Sequence, residues 1–161
     1  MDAAVCREHV TKLLADEAAA LQRLEALLER EHELIAANDI EELDRAGEIR
    51  QACVGDLVRI EDERRGLCRM MNVPADRHGI ERLMRWCDPS NTLLHRWADC
   101  AERATRCRGL NDRNGALVTA RLKKVSGALD VLTGRASETK VYAKQGGYQS
   151  SGRTSRVTVT V

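Results

Sequence analysis

Phenylalanine is absent from this chain, and its only aromatics are Trp86, Trp97, Tyr142 and Tyr148. Pockets for cofactors and small substrates are usually lined by aromatic and apolar side chains around a few convergent polar groups, so no cofactor site is expected. No run approaches eighteen uninterrupted apolar residues, which excludes a membrane-spanning helix by sequence. The start, Met1-Asp-Ala-Ala-Val-Cys-Arg7, has no basic region followed by an apolar one, so no signal peptide is read and the expected location is cytoplasmic. Catalytic patterns are missing too. His9, His32, His78 and His95 fall in separate segments, and no nucleophile motif, glycine-rich phosphate loop or convergent carboxylate pair accompanies them, so an enzyme is not expected.

Leu, Ala, Val and Cys supply the apolar residues, and 32% of the 161 residues are charged. That is the composition of a helical bundle or coiled coil, with material for one modest domain. The net charge of +1 hides a split: residues 1–65 carry 17 acids and 9 bases, residues 66–161 carry 8 and 17. Acidic and basic helices packed side by side account for this. Nucleic-acid binding by the basic half is disfavoured, because its arginines are spread around helical faces without interleaved stacking aromatics. Of the six cysteines, Cys53, Cys68, Cys100 and Cys107 read as small apolar residues in helices, and cytosolic thiols stay reduced. Cys100 and Cys107 share a helical face but stand about 10.5 Å apart along the axis, too far to hold a metal between them without other ligands.

Periodicity predicts an all-α fold: an antiparallel bundle or coiled coil of three long helices plus a short connecting helix, followed by a flexible tail. The first helix covers 5–36, with adjacent rows Leu13, Ala20, Leu27, Leu34 and Leu14, Leu21, Leu28, Ile35. This double row suits contact with two neighbours. Asp39 reads as the N-cap of the second helix with Glu42 as its capping-box partner. That helix runs from Ile40 to about Met71 with Leu43, Ala46, Ile49, Cys53, Leu57, Ile60, Leu67 and Met71 inward, and Pro74 closes it. Gly79 to Cys87 reads as a short helix, and Asp88-Pro89 as the start of the last one.

The last helix carries an unbroken heptad from Leu94 to Leu132. One row is Trp97, Ala104, Asn111, Val118, Val125 and Leu132; the other is Leu94, Ala101, Arg108, Gly115, Leu122 and Leu129. Asn111, Asn114 and Gly115 normally stop helices, yet the phase agrees on both sides, so one helix of about 39 residues is expected with a polar notch at those three. A buried Asn restricts register, and Gly115 invites close approach by another backbone. Beyond the notch, Leu117, Val118, Leu122, Val125, Leu129 and Leu132 form an amphipathic stripe over roughly 116–133. The first two helices span roughly 48 Å against nearly 60 Å for the last, so part of this stripe is expected to remain uncovered as a docking surface. Weak self-association of a structural coiled coil through the same stripe is the competing expectation. The domain division expected is a helical bundle over 1–133 and a basic tail over 134–161, ending in the strand-like alternation of 157–161.

Cys107 through Gly115, the run Leu117 to Leu132, and Tyr142 followed by Gly146 together resemble the C-terminal half of the FlgN-type flagellar export chaperones. The Leu-rich first helix and the Asn-Asp turn before the second are similar to that family's outline as well. The resemblance implies a cytosolic type III export chaperone that binds the C-terminal segments of flagellar hook-associated, hook–filament junction proteins. It would prevent their premature assembly and deliver them to the export gate. The client would dock on Leu117, Val118, Leu122, Val125, Leu129 and Leu132. Tyr142, with Gly146 nearby, would contact the gate component, although Ala143 stands where the family often has Gly.

Overall fold

The computed structural model describes residues 1–133, so the expected tail with Tyr142, Gly146 and the 157–161 alternation lies outside the described residues. Four helices follow one another: α1 (Ala3–Ala37), α2 (Ile40–Met70), α3 (Arg77–Cys87) and α4 (Thr92–Leu132). Together they form the all-α bundle of three long helices and a short connector. Met1–Lys124 makes up one compact unit, and a second begins at Val125, described as the last turns of α4.

α1, α2 and α3 each start where a short acidic side chain meets exposed N–H groups. Asp2 accepts from the Val5 N–H at 2.8 Å, Asp39 from Glu42 at 3.2 Å and Asp76 from Gly79 at 2.8 Å. The capping box expected at Asp39 is made only by half. The Asp39 N–H turns back to the Leu34 carbonyl, because Asn38 ends α1 in the left-handed conformation, and the Glu42 carboxylate is taken by Arg45. Gly79 is required by packing, since a Cβ there would stand 1.9 Å from the Pro74 carbonyl oxygen.

The α1–α2 hairpin is antiparallel and laced by charge. Arg64 of α2 reaches Glu17, Arg50 reaches Glu31 at 2.8 Å, and Arg23 of α1 reaches Asp56 at 3.3 Å. Both expected rows of α1 turn inward, with Leu13, Leu14, Ala20, Leu21, Leu28, Leu34 and Ile35 buried. Each fully buried leucine contributes about 1.5–3 kcal/mol of transfer free energy. On α2 the buried row is Ala46, Cys53, Ile60 and Leu67, one residue every two turns. Ile49, expected inside, is exposed, because it sits one position beside the row that carries Arg50. Ile80, Leu83 and Met84 of α3 close one end of the core against Val10, Leu13, Leu14, Leu67 and Cys68.

Asp88 does not begin α4. It follows α3, its side chain 1% exposed, and reaches forward so that Oδ2 accepts from the Leu93 N–H at 2.9 Å while Oδ1 accepts from the Ser90 hydroxyl. These donors, with Arg7 at 3.6 Å, hold its carboxyl below the usual aspartate range.

Candidate docking surface

A single row sets how α4 meets α1. Leu93, Cys100, Cys107 and Asn114 are the buried residues of α4, spaced by sevens. The Cys100 thiol approaches the Leu14 carbonyl at 3.9 Å, the Cys107 thiol approaches that of Leu21 at 3.7 Å, and Asn114 Nδ2 donates to that of Leu28 at 2.8 Å. Both partners advance by seven at each step, so α4 runs parallel to α1. Small side chains in the row let the helices approach closely enough for each polar atom to reach backbone. The salt bridges agree with the charge split of the sequence: Arg103 and Arg106 of α4 both hold Glu25 of α1, at 3.3 and 3.0 Å.

The expected rows of α4 are thus displaced by one position. Trp97 and Leu94 are half-buried, while Ala101, Ala104, Arg108 and Asn111 are exposed. Large apolar residues flank the contact; the small residues make it. All six cysteines are free thiols. Burial pushes Cys100 up to about 11 and holds Cys107 above the ordinary thiol range as well, so both remain protonated donors.

Of the three notch residues, only Asn114 lies in the seam, 5% exposed. Its Nδ2 faces the Leu28 carbonyl, which turns Oδ1 toward His32 Nδ1 at 3.0 Å, so that nitrogen carries a proton. Every polar atom of the amide side chain is therefore matched. Asn111 is exposed, with Arg50 Nη1 at 3.5 Å from its Oδ1. Gly115 is exposed as well, and a Cβ there would meet nothing within 4 Å, so no backbone approaches it. The reason is angular: Gly115 lies about 100° around the helix from the seam position occupied by Asn114.

After Asn114 the helix continues through Leu132 with no buried residue. Leu117 is 36% exposed, Val118 38%, Leu122 65%, Val125 58%, Leu129 54% and Leu132 82%; Val131, absent from the expected stripe, is 71% exposed. Every apolar residue of the stripe is thus left exposed by the described residues. Arg121, one heptad beyond Asn114, is the exception in being half-buried. It donates from Nη1 to Asn38 Oδ1 and from Nη2 to the Ala36 carbonyl, both at 3.0 Å, tying α4 to the last turn of α1. Beside it a groove of about 130 Å³ is lined by Leu34 and Ile35 of α1, Ile40 and Leu43 of α2, and Val118 and Leu122 of α4. Sequence reasoning missed Arg121 and this groove. Counting Cys100, Cys107, Asn114, Arg121 in sevens would have found the arginine; no periodicity marks Ile40, which begins a helix and faces outward.

Among the described residues no three His, Cys, Asp or Glu side chains are placed to hold a metal ion, and no helix is long and apolar enough to cross a membrane. No curated protein and no solved structure matches the chain. One family does: the one described as "FlgN protein" matches residues 6–150, which takes in all four helices nearly from end to end. A bundle whose last helix presents an uncovered apolar row thus belongs to the FlgN family, a family of flagellar export chaperones rather than enzymes.

Proposed function

We propose that this chain is a cytosolic type III export chaperone that binds the C-terminal segments of hook-associated proteins, keeps them from assembling early and delivers them to the flagellar export gate. The observation that carries the reading is the uncovered apolar row of α4 in a chain of this family. Leu117, Val118, Leu122, Val125, Leu129 and Leu132 would receive the apolar face of a client segment that becomes helical as it docks. Ordering the segment costs free energy at binding, so affinity is moderate and release at the gate is feasible. Tyr142 and Gly146 are proposed to contact the gate component. No covalent step and no cofactor enters this mechanism, and neither nucleic acid nor membrane insertion has a part in it.

The test is a titration of a hook-associated protein's C-terminal peptide against the full chain. Amide signals of residues 117–132 are expected to shift, and Leu122→Glu with Leu129→Glu to abolish binding while circular dichroism and melting stay unchanged. Binding that survives the double substitution overturns the assignment. Tyr142→Ala is expected to leave peptide binding intact and reduce capture by the gate component. Sedimentation of the free chain covers the rival reading, a self-associating coiled coil. A monomer across micromolar concentrations counts against that rival, and a dimer dispersed by the same double substitution supports it.

A further inference from the structure

The groove at the α1–α2 turn is more selective than the open stripe that leads to it. Leu34 and Ile35 form its floor and are buried, whereas Ile40 at its rim is 64% exposed. Ile40 is the first residue of α2 and stands among Asp39, Glu41 and Glu42, the side chains that a helix N-terminus favours. A large aliphatic residue exposed at that position gains nothing from the protein's own packing. The groove's volume of about 130 Å³ is close to the ~150 Å³ apolar cavity that accepts a benzene ring, which is room for one side chain and not for a helix.

Charge narrows the occupant further. The Arg121 guanidinium uses two of its five donors on Asn38 and Ala36, and its remaining N–H groups have no partner among the described residues. Asp39, which also lines the groove, keeps its negative charge with Oδ1 accepting from the Glu42 N–H, and Glu41 and Glu42 share Arg45, so Arg121 is the one cationic side chain of the lining. At the Arg121 edge the rim thus offers donors to one carboxylate beside an apolar slot.

We infer that this groove is an anchor pocket for one large apolar side chain of the client, Leu, Met or Phe, whose neighbouring carboxylate meets Arg121. This rests on the chaperone reading above and adds a site outside the α4 stripe together with a chemical class of client, an amphipathic segment with one carboxylate beside its apolar anchor. It also sets the client's register, because one residue must reach the turn while the rest follows α4.

Calorimetric titration of the full chain with a synthetic peptide of a hook-associated protein's C-terminal segment tests it. Ile40→Glu is expected to weaken binding about tenfold or more while the melting curve is preserved, since Glu is favourable in a first helical turn. Arg121→Gln is expected to weaken binding of the native peptide but not of a peptide whose Asp and Glu are replaced by Asn and Gln. A control, Val125→Glu with Leu129→Glu, changes the stripe without touching the groove. Unchanged binding in Ile40→Glu alongside loss in the control overturns the pocket and leaves the chaperone reading standing. Unchanged binding in both overturns the chaperone reading itself. Equal losses for the two peptides in Arg121→Gln overturn the carboxylate contact. Self-association of the free chain that Ile40→Glu removes would make a second copy the occupant, and would likewise overturn it.

Discussion

Two stretches of one helix, Thr92–Asn114 and Gly115–Leu132, carry similar apolar periodicity and meet opposite fates. The first buries a residue every two turns against α1; the second buries none. What separates them is the reach of α1: partners across the contact lie 86 residues apart, so the end of α1 at Ala37 falls opposite the residues just after Arg121. Cys100, Cys107 and Asn114 meet backbone carbonyls of α1 and Arg121 spans to its last turn, whereas the large residues beyond it stay outside. Periodicity alone, then, distinguishes a helix from a strand but not a core face from an exposed one.

The largest effect that probes this contrast is truncation at the seam. Leu28→Ala, at a residue 1% exposed, is expected to cost about 2–5 kcal/mol in urea unfolding, while Leu122→Ala stays within about 0.5 kcal/mol of the parent. Equal losses would erase the distinction between the two stretches. Next comes the amide that ends the buried row. Asn114→Ala leaves the His32 N–H without its acceptor and is expected to cost about 1–3 kcal/mol by the same measurement. Asn111→Ala, at the exposed neighbour, is expected to be near neutral, and parity between the two would move the boundary away from Asn114.

Alkaline pH probes the buried side of the contrast through its thiols, those of Thr92–Asn114 and those of the helices it packs with. Burial pushes the Cys6 thiol up to about 12 and that of Cys100 up to about 11, and it raises Cys68, Cys87 and Cys107 as well. Unfolded thiols ionise near ~8.5, so this contribution is complete below that pH and disappears as pH rises toward the folded values. The urea midpoint is expected to fall between roughly pH 8.5 and 11. A midpoint independent of pH in that range would contradict thiol burial. The smallest effect is in acid. Because Asp88 has a depressed folded value, its contribution is present above the unfolded aspartate range and is lost as pH falls through the folded one. Asp88→Asn should flatten the acid side of the stability profile, and an unaltered slope would assign the acid loss elsewhere.

Much of the fold was legible because helices obey a local period. The α1 rows, the α1–α2 hairpin and the continuity of α4 through Asn111, Asn114 and Gly115 all follow from spacing. The face of α4 that meets α1 was not legible, since large residues such as Trp97 and Leu94 weigh more in a periodic count than the Cys and Asn that make the contact. Asp88 was misplaced for a related reason: its bond to Leu93 crosses the turn between two helices, and a capping pattern reads only neighbours. In the candidate docking surface, the stripe from Leu117 to Leu132 was visible as sequence. Ile40 was not, because its proximity to Leu122 arises from how the end of α1 packs beside α4.

The sequence by itself determined helix lengths, their order, and an amphipathic row beyond Asn114, because turn chemistry and a 3.6-residue period act over a few neighbours. Which row is buried and where the groove opens were decided only in the tertiary structure. Those outcomes depend on distances between residues some 86 positions apart, set by the closest approach that Cys100, Cys107 and Asn114 permit to the backbone of α1.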